Sequence, residues 1–299
     1  MKGYVQQALT KLEHVLSSKR HQGAPSAIQP PKFGAKVQYV YDDNGQPVNE
    51  TRIRRIQRAI GKFLFYARAI DITMQHAIND IGTTASKATT NTKKAVQHFM
   101  DYAYCNPDAE IIFRASDMIL MTDSDASYLV CPEARSRAGG FHFLTSKDNT
   151  LFNGAFYFLA HVIKNVMTSA MEAKVAAMYE NTKKVLEFRQ VLTDMGHPQP
   201  PTVIRTDNRT ACGVVTGTMK QKRSKAIDMR FHFIKDQAQN HKNVTFRWSP
   251  GVLNLADYPT KHHPASHHKR VRPVYLYVKG KSPTTLKGCA KILLGDKGD

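Results

Sequence analysis

Acidic residues are scarce in this chain: 24 Asp and Glu stand against 43 Lys and Arg over 299 residues, which leaves a formal net charge of +19 with His neutral. With a pI near 9.8, that balance favours a polyanionic partner, either nucleic acid or an anionic membrane surface. Cysteine is equally sparse. Cys105, Cys131, Cys212 and Cys289 lie 26, 81 and 77 residues apart, a spacing that builds neither a zinc site nor a disulfide framework, so they read as free thiols in a reducing compartment. Long apolar runs are missing. The longest, 154–163 (GAFYFLAHVI), contains a His and reaches about half the length of a spanning helix. The start, MKGYVQQALTKLEHVL, is amphipathic and lacks the apolar block of a signal peptide. The expectation is an intracellular protein, cytoplasmic or nuclear, with no membrane partner.

What is present suffices for a core. A hydrophobic share of 41% with 22% charged residues suits one large domain or two small ones. Val5, Leu9, Leu12 and Leu16 recur at helical spacing and predict a helix over 4–17, followed by a Ser/Pro/Gly-rich loop over 17–31. The run VQYVYDDNGQPV at 37–48 carries Asn44-Gly45, a dipeptide suited to a hairpin turn. Over 52–81, Ile53, Ile56, Ile60, Phe63, Leu64 and Ala67 form an apolar stripe beside Arg52, Arg54, Arg55, Arg58 and Lys62, which reads as a basic amphipathic helix and then a second one. A further helix is expected over 92–104, ending before Asn106-Pro107.

The texture changes at Glu110. Strand-like runs follow, IIFRASDMILMTDSDASYL and GGFHFLTS, separated by Pro132 and Gly139-Gly140, with a third strand over 154–164. Then come a long helix over 169–195, a strand at 202–207, a short helix at 209–215, the basic turn KQKRSK, a helix AIDMRFHFIKDQAQ, a strand VTFRWSP and a final helix over 253–261. That order is α/β with a mixed sheet. Beyond Lys261 the sequence reads as a His- and Lys-rich tail with one strand-like run, VYLYV; its last 39 residues hold nine Lys and Arg against two Asp.

In so basic a chain, carboxylates in apolar contexts stand out, because a buried carboxylate is paired or binds a cation. Asp125 lies in the first predicted strand, Glu172 opens the long helix, Asp207 ends the fourth strand, and Asp257 falls in the last helix. Four carboxylates converging on one rim of the sheet would suit two hard divalent cations and phosphodiester hydrolysis. The plain alternative is that they are turn, capping and first-turn residues.

The ordered set TDSDASY, TSAMEAKVAAMY, RTDNRTA, KAIDMRFHFI and NLADYPTK resembles the ribonuclease H domain of copia-type retrotransposon Pol polyproteins, over about 150 residues from 111 to 262. The resemblance implies a ribonuclease H-like five-stranded mixed sheet flanked by helices, preceded by a mainly helical segment. It also implies that Asp125, Glu172, Asp207 and Asp257 are the metal-binding catalytic acids, holding two divalent cations (Mg²⁺ or Mn²⁺) for hydrolysis of RNA in RNA–DNA hybrids. Asp123 competes for the first position; Asp125 is preferred because Asp-Ala-Ser fits the family pattern. Upstream, RRIQRAIGKFLFYARAIDITMQHAINDI and TKKAVQHFMDYAY resemble the thumb and connection of the same polyproteins, and YVYDDNG misses the polymerase Tyr-x-Asp-Asp motif. The division expected is therefore a thumb/connection-like segment over 1–110, a ribonuclease H-like domain over 111–265 and a basic tail over 266–299, without a polymerase palm and with the remainder of a Pol polyprotein as a partner. A non-catalytic nucleic-acid-binding remnant is the alternative.

Departures from the pattern are informative. Where the family has Glu-Ala-Glu-Tyr, this chain has Glu172-Ala173-Lys174-Val175, and Lys174 either faces solvent or sets a positive charge near the metals. The segment SPGVLNLAD lacks the His that many cellular ribonucleases H carry there, and His232 reads as a helix-face residue. For nucleic acid, Lys220, Lys222, Arg223 and Lys225 suit phosphate contacts or a solvated loop. Asn208 suits a polar contact or a helix cap. Trp248 and Tyr258 suit stacking, with sheet core as the other reading of Trp248. His262, His263, His267 and His268 read as part of a flexible basic tail.

Overall fold

The computed structural model describes residues 1–15, 21–27, 43–217 and 228–295. Four helices come first: α1 (Tyr4–Lys11), α2 (Glu50–Ala69), α3 (Gln75–Thr84) and α4 (Thr90–Cys105). Strands β1 (Ile119–Cys131), β2 (Arg135–Thr145) and β3 (Tyr157–Val162) follow, then α5 (Ala170–Asp194), β4 (Thr202–Thr206), α6 (Arg209–Val215), α7 (Asp228–Gln239) and β5 (Val244–Trp248). Helices α8 (Ala265–Tyr275) and α9 (Leu286–Leu294) complete the described elements. They form two compact units, one from 1–112 and 262–282, the other from 113–261 and 283–299. No described helix is long and apolar enough to cross a membrane.

The first unit is helical. Helix α2 starts where the Asn49 side chain accepts from Arg52 N, and it buries Ile56, Ala59, Phe63, Tyr66 and Ala67. These recur every three or four residues and so share one face. Phe63 meets Phe99 of α4 edge-to-face at 5.2 Å. The apolar stripe over 52–81 breaks at Ile70, because Asp71 takes up the backbone and hydroxyl of Thr73 and starts a new turn. Helix α1 stops at Lys11, six residues short of the expected end, and Glu13 takes a left-handed φ of 51°. The hairpin expected around Asn44-Gly45 is replaced, in its described half, by a bridge from Pro47 to Thr89 and by Asp43, which accepts from Thr89 Oγ1 and Asn91 Nδ2; residues 37–42 lie outside the described residues.

The tail corrects its expectation. VYLYV is no strand: Val271, Val274 and Tyr275 are buried along α8 at helical spacing, and Val274 and Tyr275 close that helix. His268 is 2% exposed and its Nε2 lies 2.6 Å from the Tyr102 hydroxyl, while His262 Nε2 meets Asp80 Oδ2 at 3.1 Å. The high local charge hid these apolar and aromatic anchors.

The second unit carries the mixed sheet that the sequence implied, in the order β3-β2-β1-β4-β5. β1 pairs antiparallel with β2 and parallel with β4, β2 is antiparallel to β3, and β4 is parallel to β5. Helix α5 covers one face: Val175, Met178 and Val185 pack with Leu120, Ile204 and Phe246, and Ala173, Ala176 and Ala177 pack with Ala126 and Ala138. β1 begins at Ile119 rather than Ile111. Gly139-Gly140 is no separator but the middle of β2, where a Cβ on Gly140 would stand 1.9 Å from Asn181 Oδ1 and one on Gly139 2.5 Å from the Ala256 carbonyl. The helix expected over 253–261 is two short 3-10 turns, Gly251–Leu253 and Tyr258–Thr260, because Pro259 lacks the N–H a longer helix needs.

Candidate active site

The site is built on the end of β1. Asp123 and Asp125 share a strand face, since side chains alternate along the pleat, yet their surroundings separate them. Asp123 is fully buried and spent on structure: it takes Arg205 Nε at 2.5 Å and Nη2 at 2.8 Å, and Leu255 N at 2.8 Å. Next to it, Asn254 Nδ2 donates to the Ser124 carbonyl at 3.0 Å, and the Ser127 hydroxyl donates to Thr260 Oγ1 at 2.8 Å. These bonds clamp the 254–260 segment against β1 and bring Asp257 to its rim, a close approach that the bare face of Gly139 permits.

Asp125, one pleat further on, is 4% exposed. Asp207 follows β4 directly; its carbonyl accepts from Trp248 Nε1 at 3.1 Å, and a Cβ on Gly251 would lie 3.0 Å from its Oδ2. The two carboxylates are joined by Lys174. Its Nζ stands 3.1 Å from Asp125 Oδ1, an ion pair rather than an aligned hydrogen bond, and donates to Asp207 Oδ1. Burial lifts the Asp125 carboxyl above the usual carboxylate range; Lys174 opposes the lift, and Asp257 and Asp207 add to it. Burial works against the charge on Lys174, but Asp125 and Asp207 outweigh it and hold the ammonium above the ordinary lysine value. Asp257 Oδ1 also takes Lys261 Nζ at 2.7 Å.

Glu172 is held apart from this pairing. Its Oε2 accepts from Thr168 N and Thr168 Oγ1, both at 2.7 Å, while its own N–H is capped by Ser169 Oγ at 3.1 Å. The structure thus brings Asp125 and Asp207 together through Lys174, sets Asp257 where its charge acts on Asp125, and turns Glu172 toward its own helix start.

The expected nucleic-acid contacts separate as clearly. Asn208 Oδ1 accepts from Ala211 N at 2.8 Å and caps α6. Tyr258 is 5% exposed, which closes its ring to a base. Lys220, Lys222, Arg223 and Lys225 lie outside the described residues. Trp248, for which a place in the sheet core was one reading, is 41% exposed, and the Arg209 guanidinium lies 4.0 Å over its ring. His232 is exposed on α7.

A polar network behind the site had no sequence signal. His142 is fully buried, its Nδ1 3.0 Å from Thr122 Oγ1 and its Nε2 2.9 Å from Asn181 Oδ1; the Asn181 amide donates to Ser124 Oγ, Gly139 O and Ala177 O. With Asn181 accepting at Oδ1, the neutral ring carries its proton on Nε2 and accepts from Thr122 at Nδ1. Burial pushes its pKa down to about 3.

No family model matches the chain. Over 203 residues, 68% of its length, it is 24% identical to the retrovirus-related Pol polyprotein from transposon TNT 1-94 of Nicotiana tabacum. The chain is similar to a retrotransposon Pol polyprotein. It spans 15% of that polyprotein's length. Among solved structures, LC11-RNase H1, isolated from compost by a metagenomic approach, aligns over 48% of this chain and 93% of its own at 16% identity and a TM-score of 0.36. The foamy viral protease-reverse transcriptase in complex with RNA/DNA hybrid aligns over 78% of this chain and 27% of its own at 13% identity and a TM-score of 0.43.

The donor set at this rim is all oxygen, the preference of hard divalent cations. The arrangement nevertheless does not fit a pair of them. An ammonium already lies between Asp125 and Asp207, Glu172 is engaged by Thr168, and among the described residues no group of three or more His, Cys, Asp and Glu side chains is arranged to hold a metal ion.

Proposed function

We propose that the five-stranded unit is a ribonuclease H-type module of a retroelement Pol polyprotein, with the RNA–DNA hybrid as its substrate class. The observation that carries this reading is the convergence of Asp125, Asp207 and Asp257 on one rim of the sheet, in a chain similar to a Pol polyprotein. The remaining helical unit is then the thumb/connection-like part of the same polyprotein.

The residues divide the work. Trp248, stacked with Arg209 and hydrogen-bonded to the Asp207 main chain, offers a π-face and a guanidinium beside the acids, the pairing that holds a strand by stacking and phosphate contact. Asp125, Asp207 and Asp257 form the acidic rim beside that grip. Because Lys174 is already paired with two of them, a second reading has its own support: a domain that binds hybrid without cleaving it.

Binding and cleavage are measured together on a labelled RNA–DNA hybrid in Mg²⁺ or Mn²⁺. The expected result is binding that weakens about tenfold in the Arg209→Ala/Trp248→Ala chain, the loss of roughly 1–3 kcal/mol typical of a stacked base. Metal-dependent cleavage that disappears in both Asp125→Asn and Asp207→Asn supports the hydrolytic form. Binding without cleavage supports the second reading. A chain that ignores the hybrid altogether removes both.

A further inference from the structure

We propose that Lys174 is the resident cation of this acid cluster: its ammonium fills the position between Asp125 and Asp207 that a divalent cation would need, and it closes the site against metal. The inference rests on the nuclease reading only for the expectation that such a site takes a metal.

Three observations carry it. The first is the double pairing itself, with Nζ 3.1 Å from Asp125 Oδ1 and in contact with Asp207 Oδ1. The second is burial: the side chains of Asp125, Lys174 and Asp207 are 5%, 19% and 22% exposed, so the pair is not a solvated surface bridge of little consequence. The third is how the helix start divides two neighbouring residues. Ser169 caps α5 and fixes its first turn, and residues two apart on a helix point to different sides. Glu172 reaches back to Thr168, and Lys174 is the residue delivered to the aspartates. An ammonium is a compact point charge with three donors, and here it pairs with carboxylates that a metal ion would otherwise bridge. A metal entering here must expel Lys174 from two partners and leave its charge beside its own.

The test is metal binding by the full chain, independent of turnover. Mn²⁺ and Mg²⁺ are titrated by calorimetry, and by the rise in melting temperature they cause, into wild type, Lys174→Met and Lys174→Ala. Methionine keeps most of the length of the side chain without its charge and guards against collapse of the site; far-ultraviolet circular dichroism checks both variants. We expect the variants to bind Mn²⁺ at least tenfold more tightly than wild type, and the gain to vanish when Asp207→Asn is added. Wild type binding Mn²⁺ as tightly as folded Lys174→Met, with that binding lost in Asp125→Asn, would overturn the proposal. So would a folded Lys174→Met or Lys174→Ala that gains no affinity. Hybrid binding in the same samples without metal keeps the two readings apart: its absence alongside a gain of metal binding would remove the nuclease reading and leave the role of Lys174 standing.

Discussion

Asp123 and Asp125 sit two residues apart on one strand and carry opposite tasks. Asp123 holds the Arg205 guanidinium with both oxygens deep in the fold, so Asp123→Asn leaves a buried positive charge without its partner. A loss of about 3–5 kcal/mol is expected. Lys174 keeps Asp207 as a partner when Asp125 loses its charge, so Asp125→Asn should change stability by no more than about 1 kcal/mol. Urea denaturation followed by circular dichroism decides between them, and equal losses would contradict the division of roles. At this scale the sequence was readable where chemistry is unusual: carboxylates in apolar strands of a basic chain. It could not separate Asp123 from Asp125 on face alone, because the arginine that claims Asp123 is 82 residues away. Nor could it choose between a solvent-facing Lys174 and one turned inward, since that depends on where the α5 cap points the first turn.

The elements followed the periodicity closely where one face is buried, as in α2 and α5, and failed where a residue's meaning comes from another element. The two glycines of β2 show why. Read locally, Gly139-Gly140 interrupts a strand; in the fold each removes a Cβ that the turn carrying Asp257 and the helix carrying Asn181 would strike. Gly140→Ala is therefore expected to cost about 3 kcal/mol or more through overpacking of a buried polar network. Gly61, on α2, should behave the other way, because a Cβ added there meets nothing within 4 Å: Gly61→Ala gains about 0.5–1 kcal/mol of helix propensity. Melting of the two variants checks the pair of signs. The VYLYV run departs from its expectation for a related reason, since a short apolar window does not disclose its period when a residue that completes it, here Val271, lies just outside.

Across the molecule, both units keep a histidine neutral. Burial pushes His142 in the sheet unit and His268 in the helical unit down to about 3, from an ordinary 6.5. The unfolded chain takes up protons below about pH 6.5 while these rings do not, so their contribution to stability is complete above that pH and drains as pH falls toward about 3. Each ring should cost about 1.4 kcal/mol per pH unit within the window. Unfolding free energies measured between about pH 6 and 5 should fall with the slopes of the two rings combined in wild type and with that of one ring in His142→Gln; a flat profile would contradict it. The mixed sheet and its order of elements were legible because each strand and helix carries its own pattern. The assignment of the last residues was not, because charge density masks the few apolar side chains that fold them in.

Those last residues have a consequence for how the protein would withstand a protease. The backbone passes from one unit to the other after 112, after 261 and again after 282. A single nick after Ile112 would not free the helical fragment, because α8, joined covalently to the rest of the chain on both sides, still contributes the buried Val271, Val274 and His268 to that fragment's interior. Such a nicked chain should migrate as one species under native conditions and as two only in denaturant, the behaviour of fragments that complement one another rather than of domains strung on a linker.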